Sequence, residues 1–443
     1  MQKKSFIPED TFFRIYLALV LIVFFAFNPI ISGDTGGYTA ISYFFNQADL
    51  TSYDWARTPG YPIFVFIIGL IFSIDNTVFP SLIVSQAISV FQILIFIYAV
   101  FNLYTSIKIS YSIKIARFYI FAISPAFAIF SKQLLPESLA LSIMIIIVSK
   151  IILSNYKNIP ILCSILILLK PNFLPHIVII LLFIFFVKKK YQFFLLPIMT
   201  VFLICSSNFY YTGNFSFTNL GGLSKSQVVF NIFDRVDPSD IVVGKILFEQ
   251  YKNESPNGRA DTWTRAADNL RKSVQDMPYE KSGKPWIDGN SGLSNYVGKV
   301  SNYLIIRYPD IVFTNFIKIF PLTFNFDFPK FENNHAPDPR SIDELKIIKS
   351  NIAYKIYLII AYYYEYFYII LEIFCVIFAL YRIILNKNLQ IMAPLLLIIV
   401  NKFYISFFGV FDSRYNWILI PIFIWILIYL IPLKSKNSLD SNI

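Results

Sequence analysis

Histidine and cysteine are almost missing from this chain, with two of one and three of the other in 443 residues. The histidines, His176 and His335, are too few and too scattered to form a histidine-rich metal site. Cys163, Cys205 and Cys375 sit in apolar surroundings without CxxC spacing, which favours buried free thiols over a disulfide or a metal cluster. Charge is scarce too. Only 15% of residues are charged, where a soluble domain has about 25%. No Gly-rich strand–helix turn of the dinucleotide type is present, which speaks against a nucleotide-sugar fold. Internal repeats and low-complexity tracts are also absent.

What is abundant is apolar sequence. Hydrophobic residues make up 56% of the chain and aromatic residues 18%, with mean hydropathy +0.60. The excess lies in long blocks, the pattern of an all-α polytopic membrane protein. The net charge of +11, from 38 Lys+Arg against 27 Asp+Glu, then marks cytoplasmic loops and contact with anionic lipid rather than nucleic acid. The start "MQKK" before an apolar run, with no small-residue cleavage site after it, reads as a retained signal anchor with its N-terminus inside.

A span needs about 20 apolar residues. The clear candidates are 12–31, 79–104, 191–208, 360–384, 391–409 and 415–433. The denser stretch 118–187, interrupted by "KQLLPES", "NYKN" and "LKPN", divides into 118–132, 138–154, 159–170 and 173–187. The segment "YPIFVFIIGLIFSI" (61–74) decides the topology, because it is short for a span. If it crosses, the basic stretch 108–117 falls outside, against the positive-inside tendency. If it lies on the outer surface, every basic loop falls inside. The expectation is therefore about ten spans with both termini cytoplasmic. Outside lie a first loop (32–78) with its juxtamembrane helix, and a large loop domain (209–350). The large loop divides an N-terminal core (1–208), which includes the first loop, from C-terminal helices (351–443).

This topology brings five sets of ionisable residues to the outer face: Asp34, Arg57, Glu137, Lys170, and Asp412 with Arg414. Such residues at span ends are costly unless they face a cavity or a partner. Each also has a plain structural explanation. Asp34, in "ISGDTGGYTA", suits a helix N-cap. Alternatively, a carboxylate partly desolvated at the membrane edge has a raised pKa and can act as a general base. Tyr38, four residues on, would share its helical face. Arg57 in "ARTPGYP" is an interfacial anchor or a partner for Asp54, or else a phosphate clamp. Glu137, after Pro136, suits a helix first turn. Lys170, before Pro171, suits a snorkelling helix end, and Arg414 with Tyr415 suits an interface anchor pair.

The order of these motifs is more specific than any one of them. "GDTGGY" follows the first span, "RTPGYP" opens a short helix, "LLPESLAL" leads into a span, "LLKPN" sits within a helical pair, and "DSRYNWILIPIF" opens the last span. In this the chain resembles the GT-C superfamily of membrane glycosyltransferases, notably the bacterial protein O-mannosyltransferases and lipid A aminoarabinose transferases. The resemblance covers most of residues 10–230 and 390–430, and the loop 235–350 has no counterpart in it. It implies Asp34 as the catalytic acidic residue and 61–74 as a juxtamembrane helix. Arg57, Lys170 and Arg414 would hold the donor phosphate, Glu137 would be a second acidic position lining the site, and Tyr38, Tyr61 and Tyr415 would complete the substrate-binding set. Asp34 is followed by Thr35, where many relatives carry Asp-Glu, which speaks against a metal site built from paired carboxylates; no cofactor is predicted, and dependence on a divalent metal is left open by the sequence. The implied partners are a polyprenyl-phosphate sugar, membrane lipids, and a glycan, lipid or protein acceptor. The implied place is the bacterial cytoplasmic (inner) membrane with the site facing the periplasm. The rivals are a polysaccharide polymerase or ligase using lipid-linked glycans, and a lipid-linked sugar transporter. Transporters favour repeated halves and polar breaks at mid-membrane.

Overall fold

The computed structural model describes residues 10–30, 33–46, 57–72, 81–218, 292–329, 350–386, 389–408 and 416–429, with positions 225, 228 and 348 besides. Among the described residues the secondary structure is helical, apart from two isolated β-bridges. The N-terminal half runs α1 (Thr11–Phe25), α2 (Gly33–Asn46), α3 (Gly60–Phe72), α4 (Leu82–Ser110), α5 (Ile113–Phe121), a 3-10 segment (Pro125–Ser131), α6 (Glu137–Ile152), α7 (Ile159–Leu169), α8 (Leu174–Lys188) and α9 (Gln192–Thr212). Then follow α10 (Leu293–Arg307), α11 (Pro309–Ile319), a 3-10 turn (Phe320–Phe324), α12 (Asn351–Asn386), α13 (Met392–Phe408) and α14 (Leu419–Ile428).

Four of the described helices are long and apolar enough to cross a membrane: Leu82–Ser110, Pro171–Lys188, Gln192–Thr212 and Asn351–Leu385. The chain is a multi-pass membrane protein. Several expected spans have a different form. The run 118–132 is no straight helix: α5 and the 3-10 segment meet at 56°. Pro125 is the cause, since it lacks an N–H and drives Ser124 out of the helical region. The backbone groups freed at the break do not go unpaired. Tyr364 of α12 donates to the Phe121 carbonyl (2.6 Å), and Tyr368 donates to the Ala122 carbonyl (3.1 Å). The Tyr368 oxygen also accepts from the Ser124 amide (2.9 Å). Side chains from a neighbouring helix thus supply what lipid cannot. The expected span 159–170 is an 11-residue helix, α7, of about 16 Å. The expected span 12–31 is helical only to Phe25. Asn28 precedes Pro29, so the chain extends there. Its extended stretch is bridged to both sides, Phe27 to Ile348 and Ile30 to Gln133.

Helix α3 has 13 residues, about 20 Å, too short for a bilayer core of about 30 Å. It buries Tyr61, Pro62, Val65 and Ile68 against the bundle and leaves Ile67, Leu70 and Ile71 exposed. Its start is pressed onto the end of α7. A Cβ at Gly60 would lie 2.6 Å from the Leu168 carbonyl carbon and 2.7 Å from its oxygen. Backbone cannot yield as a flexible side chain does, so Gly60→Ala is expected to cost about 1–3 kcal/mol through overpacking. A lowered melting temperature in detergent checks this, and an unchanged one refutes it.

The other end of the bundle is closed by Asp10. It caps α1 by accepting from the Phe12 amide, takes a bidentate pair of hydrogen bonds from Arg117, and accepts from the Tyr104 hydroxyl. Burial pushes its carboxyl up, but the bonds from Arg117, Tyr104 and the Phe12 amide outweigh that and hold it below its ordinary value. Because the folded-state pKa is depressed, the stability it contributes is present above the unfolded pKa of about 3.9. It is lost as pH falls through the folded value. Wild type is therefore expected to lose more melting temperature than Asp10→Asn as pH drops below about 4. Parallel melting curves against pH for the two proteins measure the difference.

Candidate active site

Five of the eight residues singled out in the sequence come together where α2, α3, α6 and α7 meet. Each is placed by a local rule. Glu137 is the first residue of α6, behind Pro136, where a carboxylate suits the helix dipole. Lys170 is extended (φ −159°, ψ 121°), because Pro171 disfavours the helical region for the residue before it. That ends α7 and turns the lysine inward. Instead of snorkelling, Lys170 Nζ donates to Glu137 Oε1 at 2.6 Å, with the two side chains 11% and 10% exposed.

Tyr61, the second residue of α3, is fully buried beside this pair. Its hydroxyl oxygen accepts from Gln92 Nε2 of α4 at 2.8 Å. Burial, followed by the nearby Glu137 carboxylate, pushes the Tyr61 phenol well above its ordinary value. Tyr61 is therefore a neutral hydrogen-bonding group and not a base. Its ring meets that of Tyr38 edge-on, with centroids 5.3 Å apart. The guanidinium of Arg57 lies over the Tyr38 ring, 4.9 Å from its centroid. The guanidinium also lies beside Gly37 of α2, where a Cβ would stand 3.5 Å from Arg57 Nε, an ordinary contact distance.

Asp34 is the second residue of α2, one turn before Tyr38. The helix begins at Gly33, so residue 34 lies inside the first turn rather than at the cap. The Asp34 side chain lies outside the described set, as do Asp412, Arg414 and Tyr415 as whole residues. The lead into α2 is held by backbone: the Ile30 amide donates to the Lys132 carbonyl (2.8 Å), and the Leu134 amide donates to the Ile30 carbonyl (3.3 Å). The chain three residues before Gly33 is thereby tied to the chain three residues before Glu137.

Several polar residues of this region were missed in the sequence. Gln92, Ser85 and Ser89 line one buried face of α4 within a run that reads as apolar. Their i, i+4, i+7 spacing was the available signal. Lys132 is buried, with its ammonium 3.7 Å from the centre of the Phe24 ring and 3.5 Å from Gln86 Oε1. Glu372 and Lys402 form a second buried ion pair, at 2.9 Å. An ionisable residue inside an apolar span is itself a signal, and both were there to be seen. Among the described residues, no group of three or more His, Cys, Asp or Glu side chains could hold a metal ion.

No family model matches the chain, and no curated protein sequence does. Solved structures do align with it. The oligosaccharyltransferase of Archaeoglobus fulgidus in its apo form is 13% identical with a TM-score of 0.41, covering 96% of this chain and 51% of that one. ArnT from Cupriavidus metallidurans bound to undecaprenyl phosphate is 11% identical with a TM-score of 0.35, covering 95% of this chain and 78% of that one. The chain thus spans about half the length of the archaeal enzyme it aligns with.

Proposed function

We propose that this chain is an inverting glycosyltransferase, moving a sugar from a polyprenyl-phosphate donor to an acceptor hydroxyl on the outer, periplasmic side of the membrane. The observation that carries this reading is the convergence of Tyr38, Arg57, Tyr61, Glu137 and Lys170 where four helices meet. Short α3, with its exposed apolar side, suits a helix lying at the membrane surface, where a lipid-borne donor presents its phosphate.

In the reaction, the acceptor oxygen bonds to the anomeric carbon as that carbon's bond to the phosphate oxygen breaks. Asp34 takes the acceptor proton. The departing polyprenyl phosphate keeps the bonding electron pair, and fixed cations stabilise its growing charge. Arg57 and Lys170 supply these cations, with Arg414 as a third. Glu137 keeps Lys170 in one place, and Tyr61 and Tyr38 form the wall between the cations. The core 1–208 holds the donor, the loop 209–350 shapes the acceptor groove, and 351–443 closes the bundle. Surface glycan, lipid A or protein would supply the acceptor hydroxyl.

Purified protein in lipid nanodiscs, given a polyprenyl-phosphate monosaccharide and membrane-derived acceptors, tests the reading. Release of polyprenyl phosphate with a glycosylated product supports it. Product formation only from long lipid-linked glycans would mark a polymerase instead. Movement of the lipid-linked sugar with no covalent product would mark a transporter.

A further inference from the structure

A second polar centre is buried where the C-terminal helices meet. Lys402 of α13 is its hub. Its ammonium pairs with Glu372 of α12 (2.9 Å) and donates to the Thr323 carbonyl (2.6 Å) and to Asn416 Oδ1 (3.0 Å). Asn416 in turn donates to the carbonyls of Thr323 (2.6 Å) and Asn325 (2.7 Å), while its oxygen also accepts from Asn401 (3.3 Å). The rings of Phe324 and Phe326 lie 4.8 and 5.2 Å from the ammonium. The Lys402 and Glu372 side chains are 2% and 0% exposed.

The centre therefore grips irregular backbone. Residues 323–329, "TFNFDFP", run from the end of the 3-10 turn into an irregular strap whose alternate side chains Phe326 and Phe328 are buried. Helix α12 holds the far end: Glu365 accepts from the Phe328 amide (2.8 Å), and Tyr357 donates to the Pro329 carbonyl (2.6 Å). Phe328 stacks on Trp417 and on Phe130, and Phe127 packs against Phe328. Phe127 and Phe130 belong to the 3-10 segment that leads directly to Lys132 and to the Ile30 bridge before α2. In the other direction, Asn416 follows Arg414 by two residues in the sequence.

We propose that Lys402 and Asn416 are positioning residues for the transfer reaction, a role that rests on the function proposed above. By clamping the strap they set one end against Asn416, next to Arg414, and the other against the 3-10 segment, next to the lead into Asp34. Glu372 is the counterion that lets the ammonium stay buried. A buried ion pair is weak as a source of stability, and replacing both partners with neutral groups is often neutral or stabilising. A role in stability and a role in positioning therefore predict different results.

The test compares wild type, the double variant Glu372→Gln/Lys402→Met, and Asn416→Ala, in nanodiscs with a polyprenyl-phosphate sugar. Melting temperature is read alongside kcat and KM for the donor. Expected is a double variant that melts within a few degrees of wild type, with kcat down about 100-fold and donor KM little changed, because small misplacement of reacting groups is costly. Asn416→Ala should show the same split. Wild-type kcat in both proteins overturns the positioning role and leaves the proposed function standing. A wild-type protein that transfers no sugar overturns both.

Discussion

An Asp34→Asn protein is expected to reach the membrane in normal amount and to transfer sugar about 100- to 10,000-fold more slowly than wild type, the range that general-base catalysis supplies. Asparagine keeps the size of the side chain but cannot take up the acceptor proton. Asp34 stands in the first turn of α2, so its carboxylate also favours the helix terminus, worth about 0.3–1 kcal/mol. Loss of that helix-end effect would lower the melting temperature slightly and leave the rate nearly intact. Loss of a base does the reverse. Measured single-turnover rates for the two proteins, with melting curves as control, separate them. Full transfer by the asparagine protein would falsify the assignment.

Breaking the Glu137–Lys170 pair should have the largest effect on folding. The two side chains are close to nine-tenths buried and 2.6 Å apart. Removing one partner takes the 2.6 Å counter-charge from a buried ion, and breaking a buried pair in this way costs about 3–5 kcal/mol. Lys170→Met is therefore expected to lower the detergent melting temperature sharply, and Glu137→Gln/Lys170→Met is expected to recover most of it. The double variant should nevertheless stay slow in transfer, because it lacks a cation for the leaving phosphate. A double variant that both melts and turns over like wild type would confine the pair to a structural role.

How far these features could be read in the sequence varied with their range. The ends of α7 and α6 were legible, since Pro171 and Pro136 act on adjacent residues. The shortness of α3 was legible from the length of its apolar run. The pairing of Lys170 with Glu137 was not, because 33 residues separate them and no local rule links two helix ends. The snorkelling explanation of Lys170 was the local one, and tertiary contact overrode it. The bend at Pro125 was obscured by judging 118–132 on its apolar character alone. Lys402 and Glu372 were passed over in the same way, visible as single charges but lost in the average of an apolar run. The strap was missed because Phe324, Phe326 and Phe328 alternate within a loop, where a two-residue period has no sheet to join.

The strap also bears on the order in which the protein is made. A chain is synthesised from its N-terminus, and domains form in that order. Residues 323–329 emerge before Tyr357, Glu365, Lys402 and Asn416, the groups that satisfy their backbone. Until Asn416 arrives, the Asn325 carbonyl lacks its side-chain donor and the Thr323 carbonyl has only that of Lys402, so the strap is not fully held. Its seating is then among the last events of biogenesis. Ribosome-bound chains halted before residue 416 would have the strap open to protease, and chains carried past α14 would have it protected.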